Sequence, residues 1–104
     1  MAKLIGGTVT ATATPTSIYD LMDTAGLIPA GEDPTFVRNL TIRNADGAND
    51  LLIGGPDLDS GSPETVMLTL VAGASLAEIL QVYHVDYRDI FLEGDGPAEI
   101  LGLQ

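Results

Sequence analysis

Apolar and polar positions alternate along most of this chain with a period of two, the spacing of half-buried strands. Near the start, Thr8, Thr10, Thr12 and Thr14 interleave with Val9, Ala11 and Ala13. That predicts a strand with a threonine ladder on one face and small apolar groups on the other, ended by Pro15. The period then changes. Ile18, Leu21 and Met22 fall at i, i+3 and i+4, Thr16 or Ser17 can cap, Asp20 lies near the positive helix end, and Gly26 supplies a stop. A helix of one or two turns is expected there. Residues 27–35 read as a loop punctuated by Pro29, Gly31 and Pro34. Beyond it, Phe36, Leu40 and Ile42 are in phase against Thr41 and Arg43, which reads as a strand. The Asp46-Gly47 pair within NADGAN signals a tight turn, and LLIGG reads as a short strand. Together these predict a hairpin from Val37 to Gly54.

GGPDLDSGSPE is a turn-rich loop, and Val66, Leu68 and Leu70 are in phase as a strand. The segment ASLAEILQVYHVDY reads two ways. Leu76, Ile79, Leu80 and Tyr83 sit at helical spacing, whereas Val82, His84 and Asp86 alternate with Tyr83, Val85 and Tyr87. The extended reading suits the second half better. RDIFLEG is a short strand with Ile90 and Leu92 opposite Phe91, GDGP a turn, and AEILGLQ a last strand. Six to eight short strands between Gly/Pro/Asp turns, with one short helix, predict an all-β fold. Its form is an antiparallel β-sandwich or a jelly-roll-like barrel. The length of 104 residues suits a single β-domain over 1–104, with residues 1–14 as a docking arm or edge strand.

Charge narrows the class of partner. Four basic residues stand against fifteen acidic ones, a formal charge of −11. Lys3, Arg38, Arg43 and Arg88 are too dispersed to release counterions from a phosphate backbone, so neither nucleic acid nor an anionic membrane is an expected partner. The start, MAKLIGGTVTATATP, lacks the form of a secretory signal, and no run approaches the roughly 20 apolar residues of a membrane span. Cysteine is absent, which excludes disulfides and thiolate metal sites.

No catalytic constellation emerges, and no enzyme activity, cofactor or metal is expected. His84, the one histidine, lies near Asp86 and Asp89, but a general base needs a nucleophile and an orienting group; a strand histidine at a surface or subunit contact is the plainer reading. Gly73-Ala74-Ser75-Leu76-Ala77 has the outline of a nucleophile elbow without a sheet large enough to hold one. Of the acidic pairs Glu32/Asp33, Asp57/Asp59 and Glu93/Asp95, Asp57 and Asp59 have a spacing that suits calcium, but the terminal bidentate Glu is missing. GGPDLDSG lacks the lysine and helix of a phosphate loop. A carbohydrate-binding module would draw on Tyr19, Tyr83 and Tyr87, since there is no Trp. The threonine row has the form of an ice-binding ladder, though a solvated strand face explains it fully.

TVTATATPTSIYDLM, FVRNLTIRNADGANDLLIGG, the VAGASL turn and YRDIFLEG with a short apolar end occur in this order along most of the chain. In that order they resemble a group of small tailed-bacteriophage and prophage virion proteins. Gly73-Ala74-Ser75 departs from the Gly-Glu-Ser of that group, and the helical-looking ASLAEIL is atypical. The resemblance implies a β-sandwich subunit, made in the host cytoplasm, that decorates or cements the capsid surface. Its partners would be the major capsid protein and sister subunits, as a homo-oligomer for which a trimer is the common form. A head–tail connector, tail or fibre-associated protein is the alternative inside the particle. A small ligand- or carbohydrate-binding β module is the alternative outside it. For partner binding the candidate residues are Lys3, Leu4, Ile5, Thr8, Thr10 and Thr12 in the N-terminal segment, with Arg38 and Arg43 as intersubunit ion-pair donors.

Overall fold

The computed structural model describes residues 4–28 and 36–103, and over 36–38 and 79–85 the backbone alone. Its strands are β1 (Leu4–Ala11), β2 (Thr16–Ser17), β3 (Phe36–Asn44), β4 (Leu51–Gly54), β5 (Val66–Leu70), β6 (Leu76–Asp86), β7 (Phe91–Glu93) and β8 (Gly96–Leu103). One helix, α1 (Ile18–Thr24), and 3-10 turns at Pro63–Thr65 and Tyr87–Asp89 complete the elements. The strands form two antiparallel sheets of four, ordered β1-β8-β3-β6 and β2-β7-β4-β5. Most connections cross from one sheet to the other, the wrapping of a jelly roll. The sheets remain open as a sandwich, without closing into a barrel.

Alternation places the core. Ile5, Val9 and Ala11 of β1, Ala98 and Ile100 of β8, and Leu40 and Ile42 of β3 point inward from the first sheet. Leu51, Ile53, Leu70 and Leu92 meet them from the second. The helix forms where the period changes. Ser17 Oγ accepts from Asp20 N at 3.1 Å, a cap worth about 1 kcal/mol. Ile18, Leu21 and Met22 are its buried side, packed towards β1 and the turn holding Tyr87. Gly26 takes φ 73° just past its end, as the sequence predicts.

The first strand begins and ends earlier than its threonine pattern suggests. Gly6 and Gly7 continue the ladder at φ 153° and 152°, angles that side chains disfavour. At Gly7, Leu27 fills the space a side chain would need: a Cβ there would stand 2.9 Å from Leu27 Cδ2. At the other end Thr12 and Thr16 hydroxyls both donate to Thr14 O, at 3.0 and 2.8 Å, so these threonines build a turn instead of a ladder.

The expected hairpin from Val37 to Gly54 does not form. β3 pairs with β6 and β8, β4 pairs with β5 and β7, and Ala45–Asp50 carries the chain between sheets. Asn44 decides this. Its buried Nδ2 donates to Asn49 O and Leu70 O, both at 2.9 Å, and to Val71 O at 3.1 Å, while its Oδ1 accepts from Asp46 N at 3.0 Å. Asp46 in turn accepts from Ala48 N and Asn49 Nδ2. The Ala48 amide first, and then the Asn49 side chain, hold its carboxyl below the usual carboxylate range. The Asp-Gly pair thus serves an arch between sheets.

The helical reading of residues 76–83 is also overturned, since β6 is extended throughout. Ala77 lies opposite inward Ile42, and Leu76 opposite outward Arg43, so the alternation of β3 imposes a period of two on its neighbour. β5 departs from its expected phase in a different way. Leu70 is buried, but Leu68, on the same side of the strand, is 43% exposed at the sheet edge.

Candidate interaction surface

The register of the first sheet aligns its outward residues in rows. Thr8, Glu99, Arg43 and Leu76 form one row across β1, β8, β3 and β6; Gly6, Leu101, Thr41 and Glu78 form the next; Leu4, Leu103 and Asn39 begin a third. Three of the most exposed large apolar side chains therefore share one face: Leu4 at 67%, Leu76 at 55% and Leu101 at 49%. An open groove of about 520 Å³ lies on this face, with Gly6, Thr8, Leu76 and Leu101 among its lining. Among the described residues nothing lies over it.

The outer face of the second sheet differs. There the loop after β4 folds back, with Leu58 buried and its Cδ1 2.9 Å from where a Gly54 Cβ would stand. Ser60 N donates to the buried Glu93 carboxylate at 3.0 Å. Among the described residues, one face of the sandwich is covered by its own chain and the other is not.

Within the open face, Arg43 Nη1 contacts Glu99 Oε2 at 3.1 Å, with the two side chains 44% and 46% exposed. Such a pair contributes about 0–1 kcal/mol, so exchanging its partners costs little. The outward rows hold one basic residue, Arg43, and two acidic ones, Glu99 and Glu78, in a chain of −11.

A second apolar surface lies at the edge of the other sheet. β5 pairs with β4 on one side only among the described residues. Met67 at 77% and Val71 at 59% exposure, with Leu68, line that edge. No charged residue occurs from Val66 to Leu76, so the edge lacks the charges with which open strands are usually guarded.

The structure gathers Leu4, Thr8, Thr10 and Arg43 on the open face, as an edge strand and its neighbours. Ile5 is corrected: it is 3% exposed and belongs to the core. Thr12 lies beyond the strand, in the turn. Lys3 and the Arg38 side chain lie outside the described residues, as do Glu32, Asp33 and the side chains of Tyr83 and His84. Leu101, Leu76 and Glu99 were not expected; their signal was the outward phase of the last strand, legible only once its neighbours are known.

The other sequence candidates have local roles. Asp59 Oδ1 accepts from Gly61 N at 2.9 Å, an Asx turn, and Asp57 is exposed. No three His, Asp or Glu side chains among the described residues converge in a way that could hold a metal ion. Gly73 and Ala74, at φ 91° and 72°, lead into a strand where a nucleophile elbow leads into a helix. Tyr87 is fully buried and Tyr19 packs on the core, so neither offers a sugar platform. Tyr87 Oη reaches Ile5 O at 3.5 Å, and burial pushes its phenol up to about 12. No described helix is long and apolar enough to cross a membrane. The chain matches no protein-family model, no curated protein and no solved structure.

Proposed function

We propose that this chain is a non-catalytic structural subunit of a tailed-phage particle, which decorates the outer shell and stabilises it by repeated contacts with the major capsid protein and with sister subunits. The observation that carries this reading is the presence of two separate apolar surfaces that no described residue covers, the open face of one sheet and the β5 edge of the other, on an otherwise acidic sandwich. A subunit of a lattice needs at least two contacts, one to its support and one to its neighbours. Contiguous exposed apolar surface on a soluble domain is a mark of interaction sites. The resemblance of its segment order to that of small virion proteins points the same way. The jelly-roll wrapping adds only analogy, since that fold also serves lectins and cupins.

In this reading the β5 edge docks on the shell by adding a strand to its sheet, with main-chain bonds for affinity and Met67 and Leu68 for fit. Each contact is weak. Repetition over a symmetric shell turns many weak contacts into firm attachment.

The test is cosedimentation of purified chain with mature, genome-free shells of the phage or prophage that encodes it. Wild-type chain is expected to pellet with shells and to saturate. Met67→Lys and Leu68→Lys, both at exposed positions, should fold normally and lose at least ten-fold in binding. Failure of the wild-type chain to pellet would overturn the proposal.

A further inference from the structure

The open face has a symmetry of its own. Its sheet runs β1-β8-β3-β6, so a line between the two central strands, parallel to them, separates β8 from β3 and β1 from β6. Arg43 and Glu99 are direct cross-strand partners on either side of that line. A two-fold axis above the sheet along this line would stack a second copy with β8 over β3 and β1 over β6, each row over itself. Arg43 of one copy would then face Glu99 of the other, twice. Leu76 would stand over Thr8 beside the groove, and Leu101 over Thr41.

We infer that the occupant of this face is a second copy of the chain, stacked sheet on sheet about that axis. Charge selects this occupant. Two chains of −11 repel, so contact is favoured where opposite charges can pair across it. On this face Arg43 and Glu99 are placed to exchange partners with their mates in a self-complementary form, and Glu78 would stand over the uncharged Gly6. An isologous interface requires such self-complementarity. Shape agrees, because the groove beside Thr8 is where the partner's Leu76 would seat.

Size sets the strength. Four strands about 4.8 Å apart, each offering seven or eight residues at about 3.4 Å, give about 500 Å² a side. That is below the roughly 800 Å² a side of a standard stable interface. The pair is therefore a concentration-dependent one, firm only where copies are held close, as on a shell. The inference does not require the virion role and stands or falls by its own measurement.

That measurement is sedimentation equilibrium of the full chain and two charge variants from micromolar to millimolar concentration, with circular dichroism as the check on folding. The wild-type chain should pass from 10.8 kDa to twice that mass. Arg43→Glu and Glu99→Arg should each lose at least ten-fold in self-association. An equimolar mixture of the two should regain it as a mixed dimer, because every contact across the interface is then between opposite charges. An exchange within one chain cannot produce that rescue. A wild-type chain that stays monomeric, forms closed trimers, or dimerises equally well as either variant would overturn the inference, and so would a mixture that fails to associate.

Discussion

Asn44 Nδ2 faces the carbonyl oxygens of Asn49, Leu70 and Val71, which joins the end of β3 to the end of β5 in the opposite sheet. Asn44→Ala removes all three bonds, the one to Leu70 O fully buried, and should cost about 2–4 kcal/mol, read as a lower urea midpoint with an unchanged slope. Tyr87 sets the alkaline limit. Its phenol is pushed from 10.0 to about 12, so the folded state holds the proton more tightly than the unfolded chain does. Its contribution to stability is complete below pH 10, falls as pH rises and is gone above about 12. Urea midpoints from pH 8 to 12 should show this decline, and Tyr87→Phe should remove it. The loss of that long 3.5 Å bond should itself cost less than about 1 kcal/mol. Ala74 sits at φ 72°, so Ala74→Gly should raise stability by about 0.5–1 kcal/mol. Tyr87 illustrates what a sequence withholds at this scale. Its phase predicted a strand residue, but the 3-10 turn carries it inward and buries it completely.

At the scale of elements, period and turn chemistry were enough for an all-β fold of six to eight strands, as a sandwich or a barrel, and for the one helix with a Thr16 or Ser17 cap and the Gly26 stop. They failed where one local signal serves two architectures. An Asp-Gly pair between strands suits a hairpin and also an inter-sheet arch, and only the distant carbonyls of Leu70 and Val71 distinguish them. The apolar spacing of Leu76, Ile79 and Leu80 fits a helix, but pairing with β3 imposes the extended form. The open face was half legible. Leu4, Thr8, Thr10 and Arg43 were recognised, whereas Leu76 and Leu101 became surface residues only through register. Gly6 lets β1 lie close against β8 in that sheet, and Gly6→Ala tests it. A Cβ at Gly6 would collide with the Ile100 backbone, so this variant should lose at least about 2 kcal/mol in thermal or urea unfolding.

For the whole molecule, charge and topology act together. Net charge of −11 keeps copies apart at neutral pH, which leaves the sheet face with its Arg43–Glu99 pair and the uncharged β5 edge as the routes to contact. As pH approaches the isoelectric point near 4.1, that repulsion fades, and light scattering of the free chain should rise to a maximum there. The central claim is that these two surfaces make the chain a repeating part of a shell, and copy number tests it most directly. Quantitative mass spectrometry of purified particles, referenced to the major shell protein, should give a ratio of one to one or a simple fraction of it. A few copies per particle would contradict decoration, and complete absence would contradict the particle role altogether.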